Sequence, residues 1–329
     1  MSLAGKKVLV TGAAGFIGSH LTQQLLAAGA HVRAFVRYNS MNSRGFLDKL
    51  PLEQRKEIEV VTGDLRDAHA VREAVRGTDI VFHLGALISI PYSYLHPTEV
   101  VETNVFGTLN ILQAVRQEDV GRLVHTSTSE VYGTAQYVPI DEHHPLQGQS
   151  PYAASKIAAD KIVESFHRSY QTPVVTVRPF NAYGPRQSMR AVIPTIINQA
   201  LNGSEIVLGN LNVTRDFTFV EDTARAFICA AVSDEALGEV VNIGSGREIT
   251  IERLVQTILR LVGRSLPVRV EPLRLRPEKS EVRRLLANND KAANVLRWQP
   301  TVPLEEGLLR TIEWIRENQH VYRWDQYVT

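Results

Sequence analysis

Two short segments carry side chains that could do acid–base chemistry on an alcohol. One, Thr126–Gly133, reads Thr-Ser-Thr-Ser-Glu-Val-Tyr-Gly and contains the carboxylate Glu130. The other is the spaced pair Tyr152 and Lys156, Tyr-x-x-x-Lys. A tyrosine and a lysine beside a hydride acceptor can oxidise an alcohol, and a carboxylate in the same pocket can then remove a carbon-bound proton next to the new ketone. The sequence therefore indicates more than a simple dehydrogenase.

A glycine-rich turn near the start of the chain could bind phosphate. The segment Thr11–Gly18 reads Thr-Gly-Ala-Ala-Gly-Phe-Ile-Gly and joins an apolar run to an amphipathic one. Its glycines permit a tight turn and close approach to a pyrophosphate, while the free amides of a helix N-terminus attract the anion. A turn of this kind between a strand and a helix predicts a dinucleotide cofactor. The expected contacts are Gly12, Gly15, Phe16, Ile17 and Gly18.

The segment after the second predicted strand bears on which dinucleotide binds. Sites for NAD usually present a carboxylate there to the ribose 2′-hydroxyl. Here the strand is followed by Arg37–Ser40, and the first acid is Asp48. Arg37 and Ser40 suit a 2′-phosphate, whereas a solvated arginine at the strand end would be compatible with NAD. The sequence therefore favours NADP, with NAD as the alternative.

The position of the tyrosine indicates how it could be activated. Ser150 and Pro151 are typical of a helix N-cap and first turn, so Tyr152 and Lys156 should share one face of the helix. To act as a base near neutral pH, Tyr152 needs its pKa lowered from ~10 to ~7, which is about 4 kcal/mol. One cation at ~4 Å, at an effective dielectric constant of about 20, supplies about that much. We therefore expect Lys156 and an oxidised nicotinamide ring to lower this pKa.

The apolar pattern of the first half predicts the scaffold for these side chains. Short apolar runs predict strands at Lys7–Val10, His31–Val36, Ile58–Val61, Ile80–Leu84, Leu123–Thr126 and Val174–Val177. Amphipathic stretches predict helices at Ser19–Ala28, Ala68–Val75, Val100–Val115 and Pro151–Tyr170. This alternation is typical of an α/β fold with a doubly wound parallel sheet of the Rossmann type. Ligands bind such sheets at the carboxyl ends of the strands, where both chemical segments fall.

The second half has a looser pattern with predicted helices near 194–201 and 251–262. The segments Asp222–Val232 and Val240–Ile243 resemble a helix and a strand that return to the main sheet. We therefore predict a dinucleotide-binding domain of residues 1–178, to which residues 215–244 return. Residues 179–214 and 245–329 are predicted to form a smaller mixed α/β substrate domain.

Composition excludes several classes of protein. In 329 residues, Lys and Arg number 36 and Asp and Glu 35, a net charge of +1, so no global field recruits nucleic acid or an anionic membrane. No apolar run reaches the ~20 residues that span a bilayer, and no charged and apolar leader precedes the first strand, so we expect a cytoplasmic protein. The single cysteine, Cys229, is expected to be buried and inert. Adjacent His143 and His144 do not form a ligand cluster, and we expect surface histidines and no metal.

Together these motifs resemble the extended short-chain dehydrogenase/reductase family, specifically its nucleotide-sugar 4,6-dehydratases, over nearly the whole chain. The resemblance rests on the glycine turn, Asp64-Leu65, Ser127–Gly133, Tyr152-x-x-x-Lys156, Arg178–Arg186, and Arg215-Asp216-Phe217 running into Val220-Glu221-Asp222. Three further segments, Arg37–Ser40, Ile90–Tyr94 and Arg276–Val282, are similar to the legionaminic-acid branch, which acts on a GDP-linked N-acetylglucosamine.

The resemblance implies a role for each catalytic residue. Tyr152 would take the proton of the C4 hydroxyl while hydride leaves C4, and Thr128 would hydrogen-bond the developing ketone. Glu130 would then remove the C5 proton, the C6 hydroxyl would leave as water, and the hydride would return to C6. The product would be a 4-keto-6-deoxy nucleotide sugar.

The sequence departs from one family pattern. An aspartate commonly precedes the glutamate and protonates the leaving hydroxyl, but Ser129 stands there. A serine hydroxyl is too weak an acid to do this unaided. The Ser-Glu pair is closer to the GDP-mannose dehydratase branch, and Glu130 or a bound water would serve as the acid. A second, minor departure is Gly85, where alanine is usual.

The resemblance also implies binding residues. Further cofactor contacts are expected at Asp64, Leu65, Leu84, Ala86, Tyr152, Lys156 and Pro179, although Asp64 could equally cap a helix. Arginine forks match phosphate oxygens best, so the diphosphate of the substrate is expected to meet arginines. The expected substrate contacts are Ser89, Asn181, Arg186, Arg215, Arg276 and Glu281.

Several alternatives stay open. Family members commonly pair through the helices that hold 100–115 and 151–170, so a homodimer is expected by analogy. A C4-epimerase shares the oxidation step but needs no C5 base, which Glu130 counts against. A UDP-glucuronate decarboxylase can carry the same Thr-Ser-Glu string. Outside enzymes, a protein that binds NADP as a sensor would keep the fold without turnover, which the intact Tyr152 and Lys156 pair disfavours.

Overall fold

The computed structural model describes residues 2–322. It contains two α/β units of different size, called here the large layer and the smaller layer, each with its own sheets and core. The strands are β1 Lys7–Thr11, β2 His31–Val36, β3 Glu59–Thr62, β4 Ile80–His83, β5 Arg122–Thr126, β6 Val174–Pro179, β7 Asn181–Tyr183, β8 Ile206–Leu208, β9 Thr214–Phe219, β10 Val240–Ile243, β11 Glu248–Thr250 and β12 Val268–Val270. The helices are α1 Phe16–Ala27, α2 Leu52–Lys56, α3 Ala68–Val75, α4 Ile90–Leu95, α5 Pro97–Val101, α6 Gly107–Gln117, α7 Pro151–Tyr170, α8 Val192–Asn202, α9 Val220–Val232, α10 Ile251–Val262, α11 Asp290–Val295 and α12 Leu304–Glu317.

The large layer is a seven-stranded sheet with the order β10-β6-β5-β4-β1-β2-β3. All of its pairings are parallel. The central strands β1, β4, β5 and β6 are buried almost throughout between helices on both faces, whereas the edge strand β3 has no fully buried residue. One face packs against α1 and α9, and the other against α3, α6 and α7. The Rossmann-type doubly wound sheet predicted from the alternating pattern is confirmed.

The helix predicted over 100–115 is interrupted. Helix α5 leads into a π-helical turn at Glu102–Phe106, and α6 follows directly. Helix α7 begins as predicted: Ser150 accepts a hydrogen bond from the backbone N–H of Ala153, and Pro151 occupies the first turn. Among the described residues, no helix is both long and apolar enough to cross a membrane.

The smaller layer has its own core, built on α8, α10 and α12. It contains a three-stranded sheet, β11-β9-β7, and a two-stranded sheet, β12-β8. Strand β9 lies here, paired in register with β7, so residues 215–219 do not return to the main sheet as the sequence suggested. The return consists of α9, which packs on α1, and β10, which pairs with β6. The reason is that β7 continues almost directly from β6 and offers β9 a parallel partner.

Candidate active site

The glycine turn between β1 and α1 has the form that a pyrophosphate requires. Gly12 has φ +69°, and a Cβ there would lie 2.9 Å from the backbone nitrogen of Gly85. A Cβ on Gly18 would lie 2.2 Å from the carbonyl oxygen of Gly12. Gly15 is the N-cap of α1 and provides no side-chain cap, so the first amides of the helix have no capping side chain. Phe16 and Ile17 begin the first turn of α1. The glycine turn and the uncapped backbone amides at the start of α1 therefore fit the pyrophosphate of a dinucleotide.

Next to this turn lies a cavity of about 200 Å³ at the carboxyl ends of β1 to β4. Its lining includes Gly12, Ala14, Arg37, Asp64, Leu65, Arg66, Gly85, Ala86 and Glu99. Five of the residues expected to contact the cofactor line it, namely Gly12, Arg37, Asp64, Leu65 and Ala86. The other expected contacts do not line it; they are Gly15, Phe16, Ile17, Gly18, Ser40, Leu84, Tyr152, Lys156 and Pro179. Asp64 does not cap a helix: its carboxylate pairs with Arg66 at 2.7 Å, and the hydrogen bond from Arg66 lowers its pKa. Asp67 is the N-cap of α3 instead.

The rim of this cavity holds an acid that the sequence analysis missed. The guanidinium of Arg37, a largely exposed side chain, lies 3.9 Å from the carboxylate of Glu99 on α5. Tyr92 donates a hydrogen bond of 2.5 Å to the same carboxylate. No sequence signal pointed to Glu99, because it lies far along the chain from β2 and only the fold brings the two elements together. Although no acid follows β2 directly in the sequence, the fold therefore places the Glu99 carboxylate beside Arg37.

The carboxylate Glu130 stands on a 3₁₀ turn, Ser129–Tyr132, that follows β5 directly. Thr128 caps this turn, since its hydroxyl accepts a hydrogen bond of 3.2 Å from the backbone N–H of Glu130. The Glu130 side chain is 14% exposed and Ser129 is buried. The segment predicted to carry the acid–base chemistry thus lies at the carboxyl edge of the sheet, with Glu130 at a cavity wall and Ser129 behind it.

Tyr152 and Lys156 are both buried in the first turns of α7. Burial raises the pKa of Tyr152, a hydrogen bond with Thr128 lowers it, and the nearby Glu130 carboxylate raises it again. Burial also lowers the pKa of Lys156 to about 8. The surrounding side chains therefore hold the phenol protonated at neutral pH. Lys156 is not among the groups that shift the pKa of Tyr152, so the lowering expected from it is not found, and burial is the largest cause of the shift.

A second cavity, of about 260 Å³, opens between Glu130 and the smaller layer. Five of the predicted site residues line it, namely Glu130, Asn181, Arg215, Arg276 and Glu281. Gln187, Arg190, Asn210 and Arg274 also line it and were not predicted. These residues lie on loops of the smaller layer, where apolar periodicity carries no information. The cavity is therefore arginine-rich, with carboxylates among the arginines.

Two ion pairs organise this cavity. Arg215 lies 3.7 Å from Glu281, and burial lowers its pKa although the Glu130 and Glu281 carboxylates oppose this. Arg276 lies 3.8 Å from the Glu130 carboxylate itself. Its Nη1 atom is buried and makes no hydrogen bond. The residue expected to bind a phosphate thus also stands against the residue expected to be the C5 base.

Two predicted substrate contacts lie elsewhere. Arg186 has φ +68° and turns toward α1, where its guanidinium donates to Gln23 at 2.8 Å and to Ser19 at 3.3 Å. It is buried and does not line the arginine-rich cavity. Ser89 caps α4 by accepting a hydrogen bond from the backbone N–H of Tyr92. Arg186 is thus bonded to α1 and Ser89 caps α4, and contact of either side chain with a substrate stays a prediction.

Two of the remaining expectations need correction. His144 is buried, and its ring bonds the backbone N–H of Gln136 at 2.9 Å and the carbonyl of Pro145 at 2.9 Å, so only His143 is a surface histidine. Cys229 is half-buried against the core of the main sheet, and burial raises the pKa of its thiol. A raised thiol pKa leaves less thiolate, as expected of an inert cysteine.

The parallel sheet, the glycine turn and the Tyr152 and Lys156 pair together define a dinucleotide-binding protein of the short-chain dehydrogenase/reductase class. A family model described as GDP-mannose 4,6 dehydratase matches residues 9–311. The chain belongs to this family, and its relatives include nucleotide-sugar dehydratases and epimerases.

Similar proteins include both kinds of enzyme. A putative UDP-glucose 4-epimerase from Methanocaldococcus jannaschii is 33% identical over 317 residues, 94% of this chain and 99% of that protein. A dTDP-glucose 4,6-dehydratase from Streptomyces antibioticus is 35% identical over 318 residues, 95% and 93% of the two chains. The structure of a double mutant of DesIV, a dTDP-glucose 4,6-dehydratase from Streptomyces venezuelae with NAD bound, has a TM-score of 0.87 at 33% identity and covers 96% of this chain and 98% of that one. The sequence identity to the epimerase and to the dehydratase is similar, so it does not distinguish the two reactions.

Proposed function

We propose that the protein is a nucleotide-sugar 4,6-dehydratase. The observation that carries the proposal is the position of Glu130, a carboxylate on the wall of an arginine-rich cavity and electrostatically coupled to Tyr152. An epimerase needs a base for the C4 hydroxyl only, and Tyr152 suffices for that. A second base beside the first is needed when a carbon-bound proton must also be removed. Glu130 therefore favours elimination over epimerisation.

The first step is oxidation at C4. A bound oxidised nicotinamide would supply the hydride acceptor for this step and the hydride donor for the last one. Tyr152 takes the proton of the C4 hydroxyl, and Thr128, already hydrogen-bonded to Tyr152, bonds the developing ketone oxygen. The positive charge of Lys156 on the same helix face favours the phenolate.

Elimination follows because the C4 ketone acidifies the C5 proton. Glu130 takes this proton as a carboxylate and becomes a carboxylic acid. It can then return the proton to the C6 hydroxyl, which leaves as water, while the C5–C6 bond becomes a double bond. Buried Ser129 is too weak an acid to replace it, so Glu130 acts as base and then as acid. Return of hydride to C6 and uptake of a solvent proton at C5 complete the 4-keto-6-deoxy sugar. Tyr152 releases to solvent the proton that it took from the C4 hydroxyl, so the protons balance.

The substrate is proposed to be a nucleoside diphosphate sugar. The cavity next to Glu130 offers Arg190, Arg215 and Arg276, and guanidinium groups pair well with phosphate oxygens. Asn181 on β7 faces the same cavity and can bond a sugar hydroxyl. The likeness of 276–282 to the legionaminic-acid branch supports a GDP-linked N-acetylglucosamine as the first candidate to test.

NADP is proposed as the cofactor, with NAD as the alternative that the DesIV complex supports. Replacing Arg37 by alanine is expected to weaken NADP binding about tenfold or more and NAD binding little, because a charged hydrogen bond to the 2′-phosphate is lost. Glu99→Gln is the matched variant and should act in the opposite direction, since the carboxylate that holds Arg37 also repels a 2′-phosphate. Titration calorimetry with each dinucleotide measures both effects. Equal losses for NAD and NADP in Arg37→Ala would show that Arg37 does not read the 2′-position.

A homodimer is proposed through the helical segments 100–115 and 151–170. Val101 and Phe106 on the first segment are exposed by 40% and 55%, and Tyr170 on the second by 50%. Large apolar side chains that are exposed in this way can be covered in a protein interface. Sedimentation of the wild type and of a Phe106→Glu variant tests it.

Decarboxylation is the second candidate, and one observation favours it. Arg276 stands 3.8 Å from Glu130, so a carboxylate on C5 of a substrate would find a cation beside the base. In that reaction carbon dioxide, not a proton, leaves C5 after the same C4 oxidation.

A protein that only senses NADP would leave every nucleotide sugar unchanged.

Incubation with nucleotide sugars in heavy water separates these reactions. The panel is GDP-N-acetylglucosamine, GDP-mannose, dTDP-glucose, UDP-glucose, UDP-N-acetylglucosamine and UDP-glucuronate. A 4,6-dehydratase gives a product that has lost water and gained deuterium on carbon. An isomer without deuterium identifies an epimerase, and loss of carbon dioxide identifies a decarboxylase. Mass spectrometry of the product is sufficient, and either of the last two outcomes overturns the proposal.

A further inference from the structure

The arginine-rich cavity is lined by more cationic than acidic side chains. Four arginines and two glutamates take part. They are Arg190, Arg215, Arg274, Arg276, Glu130 and Glu281. The excess of guanidinium groups suits a ligand with about two negative charges, such as a nucleoside diphosphate. Such a ligand must compete with the two glutamates for the arginines, so the existing ion pairs decide which arginine it can recruit.

Arg215 is fixed within this cavity. Its side chain is buried, and its Nη1 donates a hydrogen bond of 2.8 Å to the carbonyl oxygen of Thr214 on β9. Its Nη2 lies 3.7 Å from the Glu281 carboxylate. The guanidinium is thus held from two sides, and we expect it to meet a phosphate where it stands.

Arg276 is held more loosely. It lies between two 3₁₀ turns, at 272–274 and 278–280. Its Nη1 is buried and makes no hydrogen bond, and the Glu130 carboxylate is 3.8 Å away. That distance is an ion pair but is too long for a hydrogen bond. A buried N–H group without an acceptor costs free energy, so this guanidinium gains from a new acceptor that can come closer.

The segment that carries Arg276 is anchored on its C-terminal side. The Ser280 hydroxyl donates a hydrogen bond of 2.5 Å to the carbonyl oxygen of Gln149 and lies 2.5 Å from the Tyr94 hydroxyl. On the N-terminal side of Arg276, the side chain of Leu275 is 47% exposed. The Arg276 side chain can therefore change partner while the segment after it stays in place.

We propose that Arg276 exchanges partners during substrate binding: it pairs with Glu130 until the substrate binds, and then with the diphosphate. A carboxylate beside a guanidinium is a weaker proton acceptor than a free one, because the cation stabilises its ionised form. Withdrawal of Arg276 therefore makes Glu130 available as a base when a diphosphate fills the cavity. The inference rests on the proposed function for the use of Glu130 as the C5 base; the exchange itself concerns binding alone.

The exchange makes Arg276 a specificity-determining residue. A sugar without a diphosphate lacks the acceptor that draws Arg276 away, so Glu130 stays paired and proton removal from such a sugar is disfavoured. Binding energy from a part of the substrate far from C5 is thereby used at the reacting carbon. Arg215 differs in this respect, because its partner Glu281 is not the proposed base.

Titration calorimetry with GDP, UDP and dTDP tests the exchange in the full-length protein saturated with its dinucleotide. Four proteins are compared: the wild type, Glu130→Gln, Arg276→Gln and the double variant. If binding breaks the ion pair, Glu130→Gln tightens diphosphate binding more when Arg276 is present than when it is replaced. For a partly buried pair we expect a difference of about three- to fivefold. An equal effect in both backgrounds overturns the proposal, because the pair would then persist in the complex.

Two further variants serve as controls. Glu281→Gln is the matched change, since Glu281 pairs with Arg215, and its effect on diphosphate affinity should be the same with and without Arg276→Gln. Arg276→Lys keeps the positive charge, so part of the dependence on Glu130 should return. Arg276→Gln should by itself weaken diphosphate binding. Unchanged affinity in that variant, or no binding of any of the three nucleoside diphosphates to the wild type, contradicts the proposal.

The calorimetric result is independent of the heavy-water experiment, because it needs no turnover. Equal effects of Glu130→Gln in both backgrounds, together with loss of water in heavy water, would leave the dehydratase in place and remove the exchange. Coupled effects with an isomer as the product would keep the exchange and remove the dehydratase.

Discussion

Replacing Glu130 by glutamine is expected to lower the rate of water elimination by about 10²–10⁴, the usual contribution of one well-placed acid or base. Glutamine keeps the size of the side chain but can neither take the C5 proton nor return it to the C6 hydroxyl. The fold should be preserved, because Glu130 is held by its backbone bond to Thr128 and by one ion pair with Arg276. Cofactor affinity should be unchanged, since Glu130 does not line the cavity next to the glycine turn.

The variant should stop after the first half of the reaction. Tyr152 and Lys156 remain, so the substrate can still be oxidised at C4, and the absorbance of reduced cofactor should appear without any product that has lost water. Stopped-flow absorbance and product mass measure the two events separately. Glu164→Gln, an exposed glutamate on α7, is the control and should behave as the wild type. Elimination at the normal rate in Glu130→Gln would show that another group is the C5 base.

Ser129 provides a comparison within the same turn. If Glu130 supplies both the base and the acid, Ser129→Ala should slow elimination far less than Glu130→Gln does. The expectation follows from the position of Ser129, which is buried and lies outside the lining of the arginine-rich cavity. A loss as large as that of the glutamine variant would instead assign the acid step to the serine hydroxyl.

The main layer of the fold was predictable because its signals are local. Parallel strands covered on both faces give short apolar runs, and the helices between them give amphipathic ones, so β1 to β6 and α7 were located within a few residues. The glycine turn was predictable for a different reason. A positive φ at Gly12 and the close contact of Gly18 with Gly12 favour glycine at both positions, so the residue types themselves indicate the backbone geometry.

The smaller layer and the substrate contacts were less accessible from sequence. Arginines on loops look alike whether they face a cavity or a neighbouring helix, and only the structure separates Arg215 from Arg186. Strand β9 could not be assigned to a sheet, because its partners β7 and β11 are short and lie on either side of it in the sequence. Glu99 was missed because it meets Arg37 only in the folded protein, and spacing along the chain does not record contacts between distant elements.

Replacing Tyr152 by phenylalanine is the second change with a large expected effect. It removes the group proposed to take the C4 hydroxyl proton, so C4 oxidation should slow by about 10²–10⁴ or more, and elimination with it. The ring still fills its buried position, and the lost hydrogen bond with Thr128 should cost about 1 kcal/mol of stability. Tyr170→Phe, at the exposed end of the same helix, is the matched control.

The two variants should differ in the state of the cofactor, and this difference assigns each proton to its residue. In Glu130→Gln the cofactor becomes reduced and no water is lost, whereas in Tyr152→Phe it stays oxidised and no water is lost. The contrast follows from the order of the steps, since the C5 proton becomes acidic only after the C4 ketone has formed. If Tyr152→Phe still reduces the cofactor at the wild-type rate, Tyr152 is not the C4 base. Glu130, which is electrostatically coupled to Tyr152, would then be the remaining candidate for both protons.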